Sequence, residues 1–456
     1  MATNITKSLK ICIIGAGMGG LASALALAKE GFEDIHVFER ASDLGFVGAG
    51  IQLAPNMARI LDRLGVWESI AKDAVRCSET SIRDGASDDE LSHVELGYVY
   101  EEYGYPHMVG HRSSLAAGLK AGCQAEKGIQ FHFSTSLVKV NSWSPNVSFT
   151  ALPSGGEPYN VECDILLACD GVKSATRRDM LQALNINATI IDTDQAAYRI
   201  MINRDQLLDD PELLELIDSE RVVRWIGEKR QVIAYPIANN TIYNIATTQP
   251  DVHFAAAPSE TYTTKGDKGA MLGVFADFCP KIQRMLNLVP DGEVCEWKLR
   301  VHAPLPTWIN GSVALVGDAC HPTLPHLAQG AAQAIEDAAV LGKLLGKLPD
   351  ASPAAINKTL RVYEMIRKER AETLVELAAA NSRVLFGNGA IKEERDRQFR
   401  EARENGGKGV RSPDKWMDKD VQRMTYMVDV VKIAEEQFED LFESISAAPP
   451  MIRASL

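Results

Sequence analysis

Gly15-Ala16-Gly17-Met18-Gly19-Gly20 has the residue types and spacing that suit a pyrophosphate. Gly15 permits a tight turn, Gly17 lets backbone approach a phosphate, and Gly20 permits close packing of the following helix on the preceding strand. The start of that helix offers N–H groups and the positive end of a dipole to the same anion. Glu39, nineteen residues past Gly20, stands where a carboxylate accepts hydrogen bonds from ribose hydroxyls, with Arg40 beside it. A glycine motif alone is weak evidence. Here an apolar strand over Lys10–Ile14 precedes it, a helical run over Gly20–Gly31 follows, and a second strand over Ile35–Phe38 ends at Glu39. Together these read as a dinucleotide-binding βαβ unit.

The rest of the chain must hold that unit and whatever it serves. A glycine-rich run, Gly45–Asn56, leads into an amphipathic helix ending near Gly65, and a polar stretch over Ser78–Glu102 reads as a strand excursion. Helix (Ser113–Ala121), strands, and a buried strand over Asp164–Cys169 return to α/β character. From Ala196 to Pro250 the sequence alternates as sheets do, in AYRIMIN, RVVRWIG, RQVIAYPI and NTIYNIAT. Strands WKLRV and SVALVGDA and a helix over Ala331–Leu348 then restore the first pattern, and helix continues to Leu385. The tail is charged, with a Gly406–Gly409 break and a last helix over Val421–Phe442. This order predicts an α/β protein whose Rossmann-type domain (1–77, 105–190, 292–385) is interrupted by a β-rich domain (78–104, 191–291), with a helical C-terminal extension (386–456).

Bulk properties exclude some functions. A net charge of −13 argues against nucleic-acid binding, which needs a basic face, and leaves anionic ligands to local arginines. No apolar run is long enough to predict a transmembrane segment. The eight cysteines show no metal-ligand spacing and several, Cys12, Cys163 and Cys169, sit in apolar runs, which predicts reduced thiols, a cytoplasmic protein and no metal site.

Further motifs carry a resemblance. Asp170-Gly171 in CDILLACDGVKSATRR, Gly317–Pro325 (GDACHPTLP), Arg112 in HRSSL, and Leu327–Gly342 (LAQGAAQAIEDAAVLG) occur in the order found in the aromatic-hydroxylase group of flavoprotein monooxygenases. The chain resembles the fungal salicylate hydroxylase-like members most. Taken singly, these residues have plainer readings: Asp170-Gly171 as a turn, Asp318 as a helix cap, Arg112 as a surface cation. The resemblance implies non-covalent FAD held by the glycine loop, Glu39, Arg40, Gly50, Arg112, Asp170 and Asp318. It places Gly330 and Ala331 so that a helix N-terminus faces the flavin ring. It also implies NADH or NADPH as a transient co-substrate, since there is no second glycine motif. His321 reads as a structural hydrogen-bonder.

The resemblance marks Tyr235, Arg199 and His326 as catalytic. Each has a bland counterpart, in sheet packing, a structural contact and a loop residue respectively. Gln52 and Gln231 stand where some relatives carry histidine, so a histidine relay through those positions is not expected. The implied reaction uses O₂ and a flavin C4a-hydroperoxide to hydroxylate a small phenolic acid. The first choice is decarboxylative hydroxylation of salicylate or another hydroxybenzoate. Alternatives are a 6-hydroxynicotinate-type hydroxylase, a tailoring monooxygenase of a larger phenolic or alkaloid, and a flavin-binding redox sensor. A monomer or a homodimer is expected.

Overall fold

The run Lys10–Ile14 forms a fully paired strand, β1, because its apolar residues are covered on both faces. The structure, a computed structural model, describes residues 5–44, 49–188, 190–252, 263–404 and 412–445. Gly45–Gly48 of the glycine-rich run and the Gly406–Gly409 break lie outside them. β1 pairs in parallel with Asp34–Phe38 on one side and Ile165–Ala168 on the other, in a six-stranded sheet. Helix α1 (Met18–Lys29) follows β1 with nine of its residues buried.

The second sheet has eight strands. Its centre is β2 (Ile190–Asn203), β3 (Arg221–Gly227), β4 (Arg230–Ile237) and β5 (Ile242–Pro250), in the antiparallel order β2-β5-β4-β3. Glu79–Asp84 and Glu90–Glu95, from the polar excursion, extend it beyond β3. The strand containing WKLRV, Cys295–His302, does not join the dinucleotide unit as expected. It pairs antiparallel with β2 at the other side of this sheet. β5 pairs with β2 along Gln195–Asn203, and the Cys295–His302 strand satisfies the backbone groups of the other edge along Ile190–Arg199.

Helices α2 (Gly330–Gly346) and α3 (Pro353–Leu385) complete the architecture. α2 packs along α1, where Gly342 has so little room that a Cβ would lie 2.8 Å from the Cβ of Ala26. The expected last helix is interrupted. A short turn at Lys419–Gln422 passes into a wider π-type turn at Arg423–Met427, and a new helix begins at Val430. The cause is competition for its carbonyls. Arg370 donates to the oxygens of Met424 and Thr425, and Arg59 to those of Tyr426 and Val428.

α2 and α3 are joined by buried charge. Arg367 has no exposed surface and donates to Glu336 (2.6 Å) and Asp337 (2.8 Å), while Arg370 also reaches Glu336 (2.8 Å). Burial alone would raise both carboxyl pKa values, yet both stay below the usual range because these cations, with His321 at Asp337, hold them ionised. Removing one partner strands the others. Arg367→Met should cost about 3–5 kcal/mol of folding stability in urea unfolding at neutral pH, and a loss under about 1 kcal/mol would contradict this role.

Candidate active site

The glycine loop has the shape its sequence implies. Gly15 adopts φ +96°, and a Cβ there would lie 2.5 Å from the Cys169 carbonyl oxygen. A Cβ on Gly20 would lie 1.9 Å from the Gly15 oxygen, so this glycine packs against the loop itself as much as against the strand. Nothing lies within 4 Å of a Cβ built on Gly17, which caps α1, so backbone is open to a ligand there. Glu39 accepts the backbone N–H of Ala16 and of Ala41, both at 2.8 Å, which fixes its carboxylate beside the loop. Each of its oxygens keeps a further lone pair for a ribose hydroxyl. Arg40 is exposed next to it.

Asp170 braces its own turn. It accepts from the Ser174 hydroxyl (2.5 Å) and from the backbone and hydroxyl of Thr176 (3.1 and 3.0 Å). Ser174 caps the next helix, and Arg177 on that helix donates to the Ala319 carbonyl at 3.0 Å. The two motifs therefore share one hydrogen-bonded framework. Gly317, at φ +61°, donates its N–H to Asp337 (2.9 Å), and His321 meets the same oxygen at 2.6 Å. This is the structural role expected of His321. Asp318 projects from this braced turn as an exposed carboxylate.

Arg112 begins the helix Arg112–Ala125 and is half-buried. Burial lowers its pKa, and Asp318 opposes that shift. Arg199 on β2 lies over the Trp297 ring at 4.7 Å. Its pKa is pushed down to about 10, by burial first and then by Arg112, with Tyr235 opposing. Among the described residues neither guanidinium has a carboxylate within ion-pair distance, so two cations face one region with only Asp318 to balance them.

Tyr235 is buried and its pKa is raised by burial, so it stays protonated. Its ring would lie 2.6 Å from a Cβ on Gly50, and Gly50 donates its N–H to Asn244 at 2.6 Å. Gly50 thus lets the second sheet sit directly on the first domain.

A cavity with about 520 Å³ of atom-free space, mouth included, lies under that sheet. Its walls include Gln52, Arg199, Arg224, Gln231, His326 and Trp416. Sheet register explains the wall. Arg199 pairs with Ala246, Ala246 with Ile233, and Ile233 with Arg224, so one row across β2, β5, β4 and β3 has an arginine at each end. The opposite wall is Pro325–Ala328, which ends with Ala328 in the left-handed region at φ +54° just before α2. Gly330 and Ala331 open α2 immediately beyond, so its N-terminus lies beside the cavity.

The structure brings Arg199 and His326 onto this cavity, while Tyr235 lies on the same sheet face, two residues beyond Ile233. Both ring nitrogens of His326 are engaged. Nε2 lies 3.2 Å from the Gln195 Oε1 and Nδ1 lies 3.5 Å from the Gln231 Nε2, which assigns the tautomer that donates from Nε2. Gln231 also donates to Thr248 at 3.1 Å. Sequence reasoning missed Arg224, Asp414 and Trp416. Arg224 was visible only as an inward position in RVVRWIG, and the other two sit in a tail with no periodic signal.

Cys320, His321 and Asp337 cluster within 4.8 Å. Asp337 already accepts from Arg367, His321 and Gly317, so the cluster is a support for the turn.

The open backbone at Gly17, the fixed Glu39 and the under-neutralised Arg112 fit FAD. Gly15–Gly20 and Glu39 would hold its diphosphate and ribose, Arg112 and Asp318 the part nearer the ring, and the N-terminus of α2 the ring itself. Bound there, FAD supplies the redox chemistry, taking hydride from NAD(P)H and activating O₂. Fold and site together define an FAD-dependent monooxygenase acting on aromatic rings. Residues 8–378 match the family described as FAD binding domain, and the chain belongs to that family. It is 29% identical over 394 residues to the 3-hydroxybenzoate 6-hydroxylase of Klebsiella oxytoca, covering 86% of this chain and 92% of that one. It is 30% identical over 376 residues to the 6-hydroxynicotinate 3-monooxygenase of Bordetella bronchiseptica, covering 82% and 91%. A solved salicylate hydroxylase substrate complex shares the fold, with TM-score 0.74 and 22% identity over 98% of this chain and 99% of that one. Among the described residues no helix is long and apolar enough to cross a membrane.

Two outcomes test this geometry. Asp318→Ala should weaken FAD retention by about tenfold or more, read as flavin absorbance after gel filtration, and full retention would remove Asp318 from the site. His326 is held neutral, its pKa pushed down to about 3 by burial and by Arg224. An unfolded chain titrates this group near 6.5, so it binds more protons than the folded one between the two values. Stability from this source is therefore intact above about pH 6.5 and falls with pH below it, by about 2 kcal/mol at pH 5. His326→Gln should remove about one proton from the slope of unfolding free energy against pH in that window, and an unchanged slope would show that His326 titrates normally.

Proposed function

We propose that this monooxygenase hydroxylates a one-ring phenolic acid, and that its reaction is decarboxylative hydroxylation of salicylate or another hydroxybenzoate. The observation that carries this reading is the charge of the cavity. Arg199, with Arg112 behind it, forms an under-neutralised positive end; the rest of the polar wall is Gln52, Gln231, Thr248, uncharged His326, and Arg224 in its ion pair with Asp414. An acid whose phenolate and carboxylate lie on adjacent carbons satisfies that end with one edge of its ring.

In this reading Arg199 holds the anionic edge through charge-assisted hydrogen bonds. Tyr235, kept protonated beside Arg199, donates to the phenolate oxygen and lowers the cost of ionising the ring. His326 positions the ring through the Gln195–His326–Gln231 chain. The enclosing sheet excludes water, which would otherwise divert activated oxygen to H₂O₂. The relatives named for 3-hydroxybenzoate and 6-hydroxynicotinate support a substrate of this size.

The test is NADH and NADPH oxidation by the FAD-loaded protein with salicylate, the other hydroxybenzoates and 6-hydroxynicotinate, quantifying product, CO₂ and H₂O₂. Salicylate should yield catechol and CO₂. Arg199→Gln should raise the Kd of salicylate about 10- to 100-fold, the loss of one charge-assisted hydrogen bond. Stimulated oxidation that gives only H₂O₂ with every acid, or no response, would overturn the small-acid reading.

A further inference from the structure

The C-terminal extension enters the cavity. Trp416 is one of its walls, and Asp414, two residues earlier, is buried against Arg224 with an oxygen 3.4 Å from the guanidinium. Both members of this pair are more than nine-tenths buried. The same Asp414 oxygen accepts from Asn381 (3.0 Å) and from the Trp416 backbone (3.1 Å). Asn381 also donates to the His326 carbonyl at 3.1 Å, so Asp414 is fixed relative to the cavity's opposite wall. The segment beyond is held by Arg370, which donates to the Met424 and Thr425 carbonyls.

The two ends of the Arg199–Ala246–Ile233–Arg224 row therefore differ in charge. Three strand spacings separate their Cα atoms, about 14 Å. At the Arg199 end two cations face one exposed carboxylate, Asp318. At the far end the Arg224 guanidinium is already paired with Asp414. A second carboxylate brought to the far end meets a cation already paired and the like charge of Asp414, at positions buried enough for the repulsion to be weakly screened.

Building on the small-acid reading, we propose that Asp414 is a specificity-determining residue. It acts through Arg224, neutralising it so that the site admits a ring with its anionic groups on one edge and rejects a ring with carboxylates at opposite ends. Specificity here comes from a repulsive element supplied by the tail.

The test uses the FAD-loaded full chain and two probes, benzoate and terephthalate, which differ by a carboxylate across the ring. Binding is read from flavin absorbance and tryptophan fluorescence, not from turnover. The wild type should prefer benzoate. Asp414→Asn should leave benzoate binding within about threefold and tighten terephthalate about tenfold or more, because Arg224 is no longer neutralised. Arg224→Gln, which leaves Asp414 alone, should move the ratio the opposite way and decides the matter where Asp414→Asn does not fold. A terephthalate-to-benzoate ratio equal to wild type in the folded variants would overturn the role of Asp414. Failure of the wild type to bind either acid while retaining FAD would overturn the small-acid reading on which the proposal rests.

Discussion

Arg367 lies without exposed surface between two adjacent carboxylates of α2, and the loops that face the cavity are tied to those carboxylates. Asp337 passes the constraint to Gly317 and His321, which shape the turn carrying Asp318. Glu336 passes it to Asn56 on the helix following the glycine-rich run, at 2.7 Å, and to Arg370, which holds the tail. Charges so deeply buried contribute little net stability when paired, but they are costly to separate. Their value is in fixing α2 relative to three otherwise independent segments, so that the end of α2 facing the cavity has one position.

On that fixed base the second sheet is a roof rather than a separate body. The hydrogen bond from Gly50 to Asn244 and the contact of Gly50 with Tyr235 set its height. Its pleat then directs Arg199, Ile233 and Arg224 downward along one row. The electrostatic character of the cavity follows from burial acting on opposite kinds of group. Desolvation keeps His326 uncharged and Tyr235 protonated, and it weakens but does not remove the charge on Arg199. The result is a chamber with one positive end and hydrogen-bonding walls.

The parts written locally in the chain were legible in the sequence. The glycine loop, Glu39, the turn at Asp170 and the strand alternation from Ala196 to Pro250 each depend on neighbours within a few residues. The apolar pattern of Cys295–His302 fits either sheet, and what decides is the edge of β2 that β5 leaves unpaired, which is formed by residues far away in sequence. Periodicity predicts one continuous last helix, because it does not report that Arg59 and Arg370 claim the carbonyls there. Arg367, Arg224, Asp414 and Trp416 act through partners tens to hundreds of residues away, and no spacing rule reaches that far. Arg199 and His326 were reached through resemblance, whereas their neutral or under-neutralised state came from burial, which a single sequence does not display.

In the proposed mechanism FAD and a one-ring acid meet in the chamber between the Arg199–Arg224 row and the Pro325–Ala331 segment. A crystal structure of the FAD-loaded protein soaked with salicylate measures this directly. The flavin ring should lie against the N-terminus of α2 and the acid beneath the sheet, its carboxylate on Arg199 and its unsubstituted edge toward Trp416. A flavin ring bound away from Gly330 and Ala331, or an acid seated outside this chamber, would contradict it.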